Sequence, residues 1–169
     1  LAVTDKAALP DNAEIEQALL DYQRLFHADR QALRLRGLRE TAVEVMLFLA
    51  RFRPRLVGPV LSGAAGPHAD IGLHLFADTP MDVLLFLMEH RIPFDTTEHR
   101  LKLGNGDPIY LPAFRFDADG NRIDLTVFAP LAEREAPRSP IDGRPMRRAS
   151  LAEVQTLLAE DRQRTPPAA

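Results

Sequence analysis

Apolar residues along this chain change period near residue 55, and the change separates a helical front from a mixed body. Ahead of it, Ile15, Ala18, Leu19, Tyr22 and Phe26 recur at three- and four-residue spacing, and Asp11 or Asn12 stands where a cap belongs. That pattern predicts a helix over residues 12–27. A second stripe, Leu35, Leu38, Ala42, Val45, Met46 and Leu49, predicts another over residues 29–52, stopped by Pro54 and bent or split at Gly37. Together they read as a helical hairpin, residues 1–54, packed as part of the same fold. The stripes are read as core, or in part as the surface of a homodimer.

Beyond residue 55 the period shortens to two. Ile71, Leu73 and Leu75 alternate with Asp70, Gly72 and His74, so a strand here buries the first set and presents Asp70 and His74 on its other side. Residues 122–128 repeat the alternation, with Asp124 between Ile123 and Leu125. Between the two lies a helix start, Thr79-Pro80-Met81-Asp82, with Thr79 as cap and the helix ending near His90. Residues 94–103 and 109–116 read as strands joined by an Asn105-Gly106 turn, the second at an edge or bulged near Pro112, and Asp119-Gly120 forms another turn. After Pro130 comes a connector rich in proline and arginine, then a helix over residues 151–160 capped by Ser150. The expected architecture is α+β: the hairpin on a mixed, mostly antiparallel sheet of about five strands, plus a C-terminal helix. The expected segments are residues 1–54, the core 55–130, the connector and last helix 131–163, and a tail 164–169.

Composition narrows the chemistry. With 169 residues, 46% of them hydrophobic, the chain can bury one core. A formal charge of −3 gives no global electrostatic argument for nucleic acid. The absence of cysteine excludes a disulfide framework, a thiol nucleophile and a cysteine zinc site. Any metal is then held by carboxylates and histidines, which favours Mg²⁺ or Mn²⁺. No apolar run approaches the ~20 residues that span a bilayer, and no secretory pattern opens the chain, so the expectation is a cytoplasmic protein with no membrane partner.

The acids carry the sharpest signal. Gly63 in a small-residue turn, Asp70-Ile71 opening a strand, a helix over 80–90 and Asp124 on a later strand follow in that order. On these residues the segment 56–129 resembles the nucleotidyltransferase superfamily, whose best-known fold is that of DNA polymerase beta and whose simplest members are the minimal nucleotidyltransferases. Its motif is hydrophobic-Gly-Gly/Ser, a loop, Asp-hydrophobic-Asp/Glu, and a third Asp on a later strand. The resemblance implies two divalent ions, one activating an acceptor hydroxyl and one holding the triphosphate of an NTP. Asp70 and Asp124 would be the catalytic metal ligands, with Asp124 beside the acceptor. Ser62, Gly63 and Ala64 would face the phosphates, His68 would stand at the mouth, and Arg144 would reach a phosphate across the cleft. The implied reaction moves a nucleoside monophosphate from an NTP to a hydroxyl on RNA, a small molecule or a protein.

Three departures support a second reading. Ala64 stands where the motif has Ser, the loop from Gly63 to Asp70 is short, and Gly72 replaces the second acid and leaves open space. They suit an inactive relative that serves as a nucleotide-binding or protein-interaction module. The ordinary readings are a turn residue for Asp70, a solvated strand face for Asp124, and surface positions for His68 and His74. For Arg138, Arg144, Arg147 and Arg148 the ordinary reading is pairing with Glu133, Glu135 and Asp142.

Overall fold

The computed structural model describes residues 11–104 and 106–165, so the proposed Asn105 turn position lies outside the described residues. The front of the chain is one helix, α1 (Asn12–Phe48), and not the hairpin expected from two stripes. Nothing between the stripes forces a break, because no proline falls between them, Asp29 sits on an exposed stretch of the helix, and a lone Gly37 costs only about 1 kcal/mol. Asp11 caps it in a reciprocal box, accepting from the Glu14 amide at 2.8 Å while Glu14 accepts from the Asp11 amide. At 100° per residue the two stripes fall on nearly opposite sides of the rod. Leu38, Ala42, Val45 and Leu49 are buried against the body, whereas residues 12–34 are exposed throughout.

A 3-10 turn, Ala50–Phe52, leads to β1 (Arg55–Val57) and a one-turn helix α2 (Pro59–Ser62). Then follow β2 (Ile71–Phe76), α3 (Pro80–Glu89), β3 (Asp95–Lys102), β4 (Pro108–Ala118) and β5 (Asn121–Phe128). A second 3-10 turn, Pro130–Glu133, opens the connector, and α4 (Leu151–Arg164) ends the described chain. The fold is α+β, with a five-stranded mixed sheet in the order β1-β2-β5-β4-β3. Only β2 and β5 are parallel, pairing from Ile71 with Ile123 to Phe76 with Phe128. Pro112 lies within β4, which is an inner strand. It is tolerated because pairing with β5 begins one residue later, at Ala113.

One face of the sheet builds the core. Ile71, Leu73, Leu75, Ile123, Leu125 and Val127 are buried with Met46 and Leu49 of α1, Val83 and Leu87 of α3, and Val154 of α4. The charged pair Arg39–Asp161 ties α1 to α4 beneath this layer. Arg39 donates to both Asp161 oxygens at 3.0 and 2.9 Å, and to the Val60 and Leu61 carbonyls at 3.0 and 2.9 Å. The other face carries Gly72, His74 and Phe76 beside Asp124, Thr126 and Phe128. The 129–150 connector reaches this side from the end of β5, and Ala149 pairs with Leu56 on the outer edge of β1.

Candidate functional site

Alternation on β5 turns Asp124 away from the core, directly opposite Gly72 of β2 and Arg115 of β4. Its carboxylate is engaged. His99 of β3 donates from Nε2 to both oxygens at 2.8 and 2.9 Å, and because a carboxylate only accepts, that nitrogen carries the proton. Arg115 Nε stands 3.7 Å from the nearer oxygen, longer than a hydrogen bond. The group is partly sheltered, with 18% of the Asp124 side chain and 25% of the His99 side chain exposed.

His74 occupies the same face and is buried at 3% exposure, which corrects the expectation of a surface histidine. The cause is Arg148 from the connector. It lies over the Phe76 and Phe128 rings, 5.1 and 4.8 Å from their centroids, and donates Nε–H to His74 Nδ1 at 3.0 Å. Burial, reinforced by the charges of Arg148 and His99, pushes the His74 imidazolium down to about 3, so the ring is neutral and accepts at Nδ1. Burial and the nearby Arg55 lower Arg148 to about 10, with Glu133 opposing them. Glu133 pairs with Arg53 at 2.6 Å and Arg55 at 3.0 Å, leaving an excess of positive charge at this end of the face. Two buried guanidinium nitrogens here, Arg115 Nε and Arg148 Nη2, have no acceptor among the described residues. Native structures satisfy such donors with water or a ligand.

The remaining sequence-predicted residues lie in other places. Asp70 precedes β2 as an exposed loop residue and, with His68, lines a recess of about 270 Å³ together with Asp117, Arg122 and Arg34. Asp124 lines no part of that recess. Gly63 ends α2 in a left-handed conformation (φ 91°) and faces Leu35 and Arg39 of α1, not the sheet face of Asp124. Ser62 Oγ accepts from the Ala64 amide at 3.3 Å, and both residues are exposed. Arg144 sits in an exposed turn, where its carbonyl accepts from the Ser139 amide at 2.7 Å. The turn that ends β1 and starts α2 is Gly58-Pro59, with Gly58 at φ 79°, so strand-to-helix geometry falls five residues before the glycine singled out by sequence.

Gly72 is not beside open space. A Cβ there would meet Val57 Cγ2 at 3.3 Å and the Val57 carbonyl at 3.5 Å, so β1 fills the place of a second acid. Among the described residues, no three His, Asp or Glu side chains are grouped to hold a metal, and no helix is long and apolar enough to cross a membrane. Sequence reasoning missed His99, Arg115 and Arg148 in the roles described. For His99 a signal existed: an aspartate in mid-strand is disfavoured unless its face is wet or it has a partner, and His99 falls within the predicted strand 94–103, two strands away in the sheet. Comparison with models of known protein families gave no match, and comparison with curated proteins gave none.

Proposed function

We propose that this chain is a nucleotidyltransferase-like module that binds a phosphate-bearing ligand, such as a nucleotide, without a metal and does not transfer it. The observation that carries the reading is the engagement of Asp124 by His99 and Arg115. In a two-metal centre that carboxylate offers its lone pairs to a divalent ion. Here they accept from a histidine, a guanidinium stands where a cation would be repelled, and the position opposite holds Gly72 packed on Val57. The donor set does not fit a pair of Mg²⁺ or Mn²⁺ ions.

The nucleotidyltransferase-like frame is supported by order and pairing: a strand, a glycine turn and helix, then two parallel strands, one preceded by Asp70 and one carrying Asp124, separated in sequence by a helix and two further strands. An anionic ligand is supported by the donors on the outer face. The Arg115 and Arg148 guanidiniums put positive charge on that face, Arg115 with 37% of its side chain exposed, and phosphate is an anion that guanidinium groups favour.

The test is a thermal-shift series with ATP, GTP, CTP and UTP, each in EDTA, Mg²⁺ or Mn²⁺, alongside an assay for nucleoside monophosphate transfer. The expected result is stabilisation by at least one nucleotide that persists in EDTA and is lost in Arg115→Gln, with no transfer. Metal-dependent transfer abolished by Asp124→Asn would overturn the inactive reading. No stabilisation by any nucleotide at millimolar concentration would overturn the nucleotide ligand.

A further inference from the structure

The first half of α1 projects from the body with an apolar seam interrupted only at Asp29, and no other described segment lies against it. Ile15, Leu19, Tyr22, Phe26 and Leu33 follow spacings of four, three, four and seven residues, which are the core positions of a heptad repeat. Tyr22 and Leu25 are 66% and 68% exposed, and the other four are at least 42% exposed. The seam runs roughly 28 Å at 1.5 Å per residue. A stripe of that length on a lone helix marks an interaction surface, because packing and not propensity supplies most helical stability in proteins. The described body does not cover it. The 65–67 loop lies across from His27, Arg30, Gln31 and Arg34, and the sheet lies against Leu38, Ala42 and Val45; of these only Arg30 borders the seam, its guanidinium over Phe26 at 4.9 Å from the ring centroid.

Charge along the rod identifies the occupant. From Asp11 to Gln23 the helix and its cap carry Asp11, Glu14, Glu16 and Asp21 with no lysine or arginine. From Arg24 to Arg36 they carry four arginines and one acid, Asp29. We propose that the projecting half of α1 pairs with the same segment of a second copy, antiparallel, in a twofold-symmetric two-helix seam. With Ile15 of one copy against Leu33 of the other, Tyr22 meets Phe26 and Glu16 meets Arg30 on each side of the axis. The two bodies then sit at opposite ends of the paired rods. A parallel pair would set acidic half against acidic half and place both copies of Asp29 in one core layer. The antiparallel pair sets each acidic half against a basic half and keeps the Asp29 residues apart.

The test uses the whole chain. Light scattering at tens of micromolar should give about twice the chain mass of 18.9 kDa. Glu16→Arg should weaken association at least tenfold, and adding Arg30→Glu should restore it, since the pair is then reversed and not removed. The chain has no cysteine, so single cysteines report orientation cleanly. Ile15→Cys and Leu33→Cys chains should form a disulfide when mixed and not when either is oxidised alone. A monomeric wild-type chain overturns the proposal, as does disulfide formation by Ile15→Cys on its own, which would mean a parallel pair.

Discussion

Lowering the pH should destabilise this protein through one residue, His74. Its ring is neutral in the fold, held down to about 3 from an ordinary 6.5, first by burial and then by the charges of Arg148 and His99. Geometry gives the same direction: Nδ1 accepts from Arg148 Nε, so a proton on that nitrogen would face a donor across 3.0 Å. The folded state therefore binds fewer protons than the unfolded chain between pH 3 and 6.5. Stability contributed by the neutral ring is complete above about 6.5 and is lost progressively as pH falls below it. At 1.36 kcal/mol per pH unit, the loss attributable to His74 is about 2 kcal/mol at pH 5 and approaches roughly 5 kcal/mol near pH 3.

Carboxylates titrate in the lower part of the same range, so the measurement is a difference. Urea unfolding of the wild type and of His74→Gln, followed from pH 7.5 to 4.5, separates the histidine from everything else. Glutamine keeps an acceptor for Arg148 and removes the titrating ring. The wild type should lose about 2 kcal/mol more than the variant between pH 7 and 5, with the divergence beginning near 6.5. Parallel curves for the two proteins would refute the argument, because they would mean that His74 takes up its proton in the folded state as readily as in the unfolded one.

Two further outcomes are expected from the fold. Removing either partner of the buried Arg39–Asp161 pair, by Arg39→Met or Asp161→Asn, should lower unfolding free energy by about 3–5 kcal/mol in urea titrations. The double variant should lose less than the sum of the two, since no charge is left stranded. Gly72→Ala, which adds the Cβ and no charge opposite Asp124, should cost about 1–3 kcal/mol by crowding Val57, and Val57→Ala in the same chain should recover part of that loss; full stability of the single variant would show that β1 yields freely.

The sequence was most legible where local chemistry decides structure. Thr79 does cap α3, its hydroxyl accepting from the Met81 amide at 3.2 Å, and Ser150 does cap α4. The alternation at β2 and β5 correctly set Ile71, Leu73, Leu75, Ile123 and Leu125 into the core. What could not be read was any feature decided by distant segments. Two apolar stripes on opposite sides of one rod resemble two helices when each stripe is read alone. His74 is buried by an arginine 74 residues away, and Asp124 is bonded by a histidine 25 residues earlier. The wedge of Val57 under Gly72 depends on an antiparallel pairing that no local pattern announces.

These distant contacts form one consistent electrostatic arrangement. An acid pair that holds divalent ions is stable without them only at the expense of like-charge repulsion. With Gly72 opposite Asp124 that repulsion does not arise, and β2 offers no second carboxylate at this register. The Asp124 carboxylate, partly buried on the sheet face, then takes its hydrogen-bond donors from the protein itself. His99 supplies them directly and Arg115 adds positive charge at 3.7 Å, while Val57 packs close to Gly72. The same face turns net cationic toward β1, where Arg53, Arg55 and Arg148 share Glu133 as their acidic neighbour. A surface organised this way attracts an anion more readily than a divalent metal.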